Sequence, residues 1–260
     1  MTMLFERASE RAFIGVSTLL FVASAAVTIV WCASMSAMGE MPMPGAWTMS
    51  MAWMRMPGQT WPGAAASFVC MWVVMMVAMM LPSLVPTLWR YHQAGLGRLT
   101  ALALVGVGYF FVWTVFGMAA FPLGVALAAV AMQQPELARA APIAVGVVVL
   151  IAGSLQLTAR KARHLAYCRE APGRGRTLPA DAGTAWQHGL RLGLHCTHCC
   201  VGLMAILLGL GVMDLRAMAV VAAAITVERL VPAGERVARA TGAVVIGAGL
   251  FLIARAAVEY

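Results

Sequence analysis

The chain has 260 residues, of which 62% are hydrophobic and only 11% are charged, and its formal net charge is +8. Soluble domains carry about 25% charged residues, so this composition excludes an ordinary soluble domain. The positive charge does not indicate nucleic-acid binding, because that function needs a basic face on a soluble surface.

Long apolar stretches recur along the chain and predict membrane-spanning helices. About 20 helical residues cross the roughly 30 Å hydrocarbon core of a bilayer, and lipid cannot satisfy free backbone groups. Strands of a membrane barrel alternate apolar and polar residues, whereas these stretches are apolar on every side. We therefore expect an all-α, polytopic transmembrane helix bundle that forms one integral membrane domain over residues 1–260.

The apolar stretches predict about seven spans in chain order. The spans cover residues 12–32, 64–84, 100–121, 141–159, 196–212, 217–231 and 241–258. The third is expected to kink at Pro122, with apolar residues continuing to Met132. The sixth is the weakest, because it is short and carries Glu228 and Arg229 near its end. The alternative is a six-span bundle with a re-entrant segment.

Basic residues predict the orientation, since cytoplasmic loops of membrane proteins are enriched in Lys and Arg. With a cytoplasmic N-terminus, only Arg55, Arg139, Arg216 and Arg255 of the 18 basic residues fall outside. The sequence thus predicts a multi-pass protein of the inner (cytoplasmic) membrane. The basic segment 160–191 is expected to be a flexible cytoplasmic loop that touches anionic lipid.

Metal-binding residue types divide between the two predicted sides. All five histidines and four of the six cysteines fall on the cytoplasmic side, while Cys32 and Cys70 lie toward the outside. The outer loop 33–63 is rich in methionine: Met35, Met38, Met41, Met43, Met49, Met51, Met54 and Met56. Thioethers and thiolates select Cu(I), whereas zinc binds Cys and His. Simple packing is the alternative for methionines inside the spans.

The most specific motif is a His-Cys-Thr-His-Cys-Cys run. In a helix Cys196, Cys199 and Cys200 share one face, because positions i, i+3 and i+4 are neighbours. Three thiols are then expected to converge at the cytoplasmic mouth of the fifth span. His195 lies at the edge of that face, and His198 points away as the weaker ligand. The alternatives are a thiol–disulfide role and three buried, inert cysteines.

Two further features accompany the cysteine run. His164 and Cys168 stand at i and i+4 where the fourth span enters the cytoplasm, at the predicted level of the cysteines. Glu228 is an acidic residue within a span, which marks it as a functional candidate. Its alternative role is an ion pair with Arg229 or Lys161.

These motifs resemble those of a bacterial family of predicted metal-binding integral membrane proteins, often labelled copper chaperones. The resemblance rests on the methionine-rich loop, the Ala-Met-Met-Leu-Pro run ending at Pro82, residues 156–161, the run from Cys196 to Met204, and residues 228–232. His164 departs from the family pattern, which commonly has Cys four residues before the Cys-Arg pair, here Cys168-Arg169. The resemblance implies metal binding and a membrane location.

The sequence therefore predicts a Cu(I)-binding membrane protein, a copper chaperone or transfer protein rather than an enzyme. Outer methionines would capture the ion, the second span would relay it, and cytoplasmic thiolates would accept it; the reverse direction fits equally. The candidate ligands are Cys196, Cys199, Cys200, His195, Cys168, His164, His198, Glu228, Met75, Met76, Met79 and Met80. The expected partners are copper, membrane lipid and a copper-accepting client protein.

Two other functions compete with copper handling. A membrane thiol–disulfide oxidoreductase needs a reactive thiol and a resolving partner, which the cysteine run offers. A structural zinc site would clamp the cytoplasmic helix ends with Cys and His ligands. Both leave the methionine-rich loop unexplained.

Overall fold

The computed structural model describes residues 2–37, 39, 41–45, 47–93, 99–169 and 181–259, which form a helical bundle with one small hairpin. The helices are α1 (Thr2–Ala37), α2 (Trp61–Gln93), α3 (Leu99–Gln133), α4 (Pro135–Gln156), α5 (Ala159–Arg169), α6 (Ala182–Leu210), α7 (Leu215–Leu230) and α8 (Gly234–Glu259). Strand β1 (Met41–Met43) pairs with β2 (Trp47–Met49), and a 3-10 turn follows at Met51–Trp53. The expected all-α bundle is confirmed.

Six of the described helices, α1, α2, α3, α4, α6 and α8, are long and apolar enough to cross a membrane. Helix α7 has 16 residues, which is about 24 Å at 1.5 Å per residue. It still joins the two ends of the bundle. Met213, just before α7, contacts Cys32 late in α1, whereas Glu228 near its end contacts Gln156 at the end of α4. The described chain thus traverses the bundle seven times, six of them in long helices.

The two ends of the bundle carry different elements. We call the end with β1 and β2 the hairpin end, and the end with α5 the α5 end. The hairpin turn lies against the start of α4, where the Gly45 backbone faces Arg139. Met38 of the methionine-rich loop and residues 170–180 of the basic segment lie outside the described residues.

The prediction of a flexible loop over residues 160–191 is wrong at both of its ends. Its first part forms α5, and its last part is the first third of α6, whose N-terminus Asp181 caps by accepting a hydrogen bond from the Thr184 amide. Basic residues interrupt the apolar pattern there, but they lie on the outer face of the helix: Arg191 is exposed while Leu192 is buried. The cysteine run therefore lies in the middle of α6 and not at its first turn.

Two helices continue through prolines. Helix α3 runs unbroken through Pro122, and α2 runs through Pro82 and Pro86. Each proline removes one helical hydrogen bond because it has no N–H group, and neighbouring helices compensate for this in membrane bundles. The apolar residues as far as Met132 therefore belong to the third span.

The methionine-rich loop divides into two structural groups. Met43 and Met49 are buried in the hairpin and pack against Ala128 and Ala138 at the ends of α3 and α4. The methionines that follow the hairpin instead line an open cleft. Only the second group is available to a ligand from outside.

Small residues bring α3 and α6 into close contact. A Cβ added at Gly108 would lie 2.7 Å from the Trp186 carbonyl oxygen, and one at Gly193 would lie 2.9 Å from the Tyr109 carbonyl oxygen. These obstacles are backbone atoms, so a local side-chain rotation cannot relieve them. The approach of the two helices also brings the Tyr109 hydroxyl to Cys196.

We expect Gly108→Ala to destabilise the bundle by about 1–3 kcal/mol, the usual cost of an extra methyl group in a well-packed site. Gly106→Ala is the matched control, because it lies in the same helix and a Cβ there meets nothing within 4 Å. Thermal unfolding of the purified protein in detergent measures the difference. Equal melting temperatures for the two variants would contradict the close packing of α3 on α6.

Candidate metal centre

The three cysteines of α6 form a buried group that we call the thiol cluster: Cys196, Cys199 and Cys200. Their exposed fractions are 0%, 3% and 1%. The Sγ atoms of Cys196 and Cys200 lie 3.9 Å apart. Two sulfurs that share a metal at about 2.3 Å, the zinc–thiolate distance, lie roughly 3.8–4.6 Å apart depending on the angle. The pair is therefore spaced for one metal ion.

An arginine and a tyrosine stand beside the thiol cluster. Tyr109 Oη lies 2.9 Å from Cys196 Sγ. The Arg229 guanidinium donates through Nη1 to Ser83 Oγ at 2.9 Å and reaches Tyr109 Oη at 3.5 Å. Its Nε and Nη2 atoms are buried and lack a hydrogen-bond acceptor among the described residues. A buried positive charge thus faces the thiols without a carboxylate partner.

A fourth thiol approaches the same arginine from α5. Cys168 is 5% exposed and interacts electrostatically with Arg229, Cys196 and Cys199. Burial raises the pKa of the Cys168 thiol to about 12, although the positive charge of Arg229 opposes this shift. Cys168 is therefore protonated at neutral pH, and a metal must displace that proton to bind it.

Glu228 is held by two neighbours rather than left free. Lys161 Nζ lies 2.7 Å from Glu228 Oε2, and Gln156 Nε2 donates to Glu228 Oε1 at 3.0 Å. Lys161 Nζ also donates to the Cys199 carbonyl oxygen at 2.7 Å. Burial lowers the pKa of Lys161, but the negative charge at Cys199, Cys200 and Glu228 outweighs it and leaves that pKa raised. The expected ion pair is formed with Lys161, and a ligand role for Glu228 stays a prediction.

Three imidazoles form a second group beside the thiols and are less buried than they are. We call this group the histidine cluster: His164, His195 and His198. His164 Nδ1 lies 3.0 Å from His195 Nδ1, and the His164 ring stacks on His198 with centroids 5.1 Å apart. Burial first, and then the positive charges of His195 and His198, lower the pKa of His164. His164 is therefore neutral near pH 7, the form that binds metals. His198, judged the weaker ligand, is exposed, and its Nδ1 lies 2.8 Å from the Leu194 carbonyl oxygen.

The four candidate methionines of α2 are all buried: Met75, Met76, Met79 and Met80. Ser83, one turn after Met79, donates to the Met80 carbonyl oxygen while it accepts from Arg229. The methionines therefore end one turn short of the arginine beside the thiols. Packing and metal relay are both compatible with this position.

The described side chains do not form a complete set of metal ligands in this structure. Within the described residues, no three His, Cys, Asp or Glu side chains are grouped as a ready metal centre. What it offers is a close sulfur pair with Cys168 and the histidine cluster nearby. Two sulfurs are few for structural zinc, which takes four ligands.

Sequence reasoning missed Tyr109, Ser83 and the contact of Arg229 with the thiols. Arg229 was considered only as a partner for Glu228. The available signal was the pair of adjacent, opposite charges in an apolar segment, since intramembrane charges face a partner inside the bundle. Tyr109 gave no signal, because a tyrosine in an apolar span also fits packing.

A family model described as "PpoB2: Copper chaperone" matches residues 69–252, which include α3 to α7 and most of α2 and α8. The chain belongs to this copper chaperone family. No curated protein and no solved structure matches the chain.

The matched region of this copper chaperone family contains the thiol cluster, the histidine cluster, Arg229 and the α2 methionines. It begins after the β-hairpin, so the methionines of the outer loop lie outside it. The resemblance expected from the motifs is therefore confirmed, while the ligand roles of individual residues stay predictions.

We expect Lys161→Met to destabilise the protein by about 3–5 kcal/mol, because it leaves the buried Glu228 carboxylate without its partner. Glu136→Gln is the control, since it breaks the exposed ion pair of Glu136 and Arg139. The Glu136 side chain is 77% exposed and that of Arg139 is 51% exposed. That change is expected to cost less than about 1 kcal/mol. Unfolding of both variants in mixed micelles measures the costs, and similar values would contradict a buried ion pair.

Proposed function

We propose that the protein binds Cu(I) on the thiol cluster and exchanges it with a client protein at the α5 end, as a membrane-bound copper chaperone. The observation that carries this proposal is the Cys196–Cys200 sulfur pair, 3.9 Å apart, beside a buried arginine that has no carboxylate partner among the described residues. Soft thiolates favour Cu(I) over harder divalent ions. The family match supports copper as the cargo.

Charge balance favours a monovalent ion at this site. The thiolates of Cys196 and Cys200 with one Cu(I) carry a net charge of −1, which the guanidinium of Arg229 neutralises. Two thiolates with Zn(II) are neutral, so Arg229 would stay uncompensated in an apolar interior, at a large cost in free energy. The neighbouring pair Lys161–Glu228 is already neutral. The arginine therefore stabilises a Cu(I)-thiolate complex and disfavours the zinc alternative.

The histidine cluster gives the buried ion a route of exchange. His164 and His195 are partly exposed and lie on the same two helices as Cys168 and Cys196. Copper on the thiols can pass to these neutral imidazoles and then to a thiol of the client, one ligand at a time. We place this exchange face in the cytoplasm, following the distribution of basic residues.

The outer surface of the bundle supports an integral membrane location. Large apolar side chains are exposed along α1, α3 and α8, such as Leu19, Leu127 and Phe251. Lipid chains are the surroundings that match this surface. We propose the inner membrane of a bacterium as its location.

We expect the purified protein to contain or take up Cu(I), and the Cys196→Ser, Cys199→Ser, Cys200→Ser triple variant to lose the thiolate-bound ion. Elemental analysis gives the metal content, and copper K-edge absorption reports thiolate sulfur ligands. Thr197→Ser is the control, because it lies in the same run of α6 and its hydroxyl donates to the Gly193 carbonyl oxygen. Zinc in the native protein without copper uptake would overturn the proposal. A metal-free protein with a redox-active dithiol would favour the oxidoreductase.

We expect Arg229→Met to weaken Cu(I) binding by about 10–100-fold, the usual contribution of residues that support metal ligands. Its Zn(II) binding should stay equal or strengthen, because the uncompensated charge is gone. Arg229→Lys should restore part of the Cu(I) affinity. Arg216→Met is the control, since Arg216 is exposed at the other end of α7. Competition with chelators of each ion measures both affinities, and a parallel loss of both would contradict the charge argument.

A further inference from the structure

A cleft of about 560 Å³ opens at the hairpin end, between the end of α1, the 3-10 turn, α2 and the turn before α7. Six thioethers line it: Met35, Met51, Met54, Met56, Met71 and Met213. They come from four separate elements, so no single amphipathic pattern accounts for their convergence. All six residues are only partly buried, so none of them is sealed in the core.

The lining of the cleft has a distinct chemical character. Among the described residues that line it there is no Asp, Glu, Lys, Arg or His. A hard divalent cation would therefore find no charge compensation, because the side-chain oxygen groups of the lining residues are the neutral hydroxyls of Ser34 and Ser67 and the amide of Gln59. A soft monovalent cation is the ion that neutral sulfur ligands suit.

Thiols add to the sulfur content of this cleft. Cys70 is exposed and lines the cleft, and the buried Cys32 lies with its Sγ 3.8 Å from Met213 Sδ. Both are free thiols. The methionines that the hairpin buries, Met43 and Met49, contribute nothing to it, since they pack against alanines.

We propose that this cleft is a second Cu(I) site, built from neutral thioethers at the opposite end of the bundle from the thiol cluster. The proposal rests on the proposed function for the identity of the cargo. Four of the six methionines precede or adjoin the hairpin and lie outside the family match at residues 69–252. The family match therefore does not cover most of the thioether residues of this site.

A stripe of side chains on α2 leads from the cleft to the thiol cluster. Met71 lines the cleft, and Met75, Met79 and Ser83 follow at intervals of four residues, which keeps them on neighbouring parts of one helix face. Both ends of the stripe meet α7. Met71 lies in the cleft with Met213, just before α7, and Ser83 accepts a hydrogen bond from Arg229 at its end. The stripe thus lies along the seam between α2 and α7.

The transfer along this stripe is ligand exchange without a change of oxidation state. A Cu(I)–thioether bond breaks at each step while another Cu(I)–sulfur bond forms. At the thiol cluster each cysteine that binds releases its proton, because the thiolate is the ligand. Thiolates bind a cation more strongly than neutral thioethers do, so the ion moves from the cleft toward the cysteines.

The test uses the full chain in detergent, titrated with Cu(I) under reducing, oxygen-free conditions. The native protein should bind Cu(I) at the cleft as well as at the thiols. A variant with all six cysteines changed to Ser should keep one Cu(I) bound by thioethers, seen as sulfur ligation in copper K-edge spectra. Adding Met54→Leu, Met56→Leu and Met71→Leu, which conserve side-chain volume, should weaken that residual site at least about tenfold, the effect expected for loss of metal ligands.

The matched control is Met43→Leu with Met49→Leu in the same cysteine-free background, which should leave the residual site unchanged. If the cysteine-free protein does not fold, the three cleft substitutions in the native chain should lower the bound Cu(I) by one ion per chain. No residual Cu(I) in the cysteine-free protein, or equal loss in both sets of methionine variants, would overturn the cleft site. Loss of copper only from the thiol variants would contradict the cleft while it supports the proposed function.

Discussion

The buried guanidinium of Arg229 is the constraint on which the centre of the structure depends. A charge inside an apolar bundle is costly unless it is paired, and Arg229 is only 6% exposed. Its neutral hydrogen-bond partners, Ser83 and Tyr109, come from α2 and α3. The groups able to supply a negative charge are the thiols of α5 and α6. Arg229 thus links α2 and α3, which supply its hydrogen-bond partners, to α5 and α6, which supply the cysteines.

Glu228, next to Arg229 in sequence, is also a buried charge, but it is stabilised in another way. Glu228 lies about 100° around α7 from Arg229, so it faces α4 and α5, where Gln156 and Lys161 satisfy both carboxylate oxygens. The side chains of Glu228 and Arg229, although adjacent in sequence, therefore point in different directions and contact different helices. This arrangement explains how α7 carries two charges inside the bundle. Glu228 and Arg229 are enclosed by other helices, whereas the apolar Val227 and Leu230 of the same turn are exposed.

The sequence predicted the fold and the grouping of the α6 cysteines because both depend on local periodicity. Helical spacing alone places Cys196 and Cys200 on one face, and the structure has them there. The first part of α6 was wrongly predicted as a loop, because Arg191 and its neighbours interrupt the apolar pattern although Arg191 lies on the exposed face. The contact of Arg229 with the thiols was out of reach, since it depends on how α7 packs against α2 and α3. The methionines of the outer loop look alike in sequence, and only the structure shows that Met43 is buried in the hairpin while the partly exposed Met54 lines the cleft.

The two ends of the bundle differ in charge as well as in ligand type, and this difference bears on how a copper ion would move. Neutral thioethers bind a cation without compensating its charge, so an ion held there is readily released to a stronger site. The thiol cluster offers anionic sulfur, and Arg229 is already in place to balance it. The apolar seam between α2 and α7 lies between these ends, and a bare cation there would be stabilised only by the polarizable sulfurs of Met75 and Met79. On the proposed route, the buried methionines of α2 would serve both packing and ion passage through the same property, a soft side chain without charge.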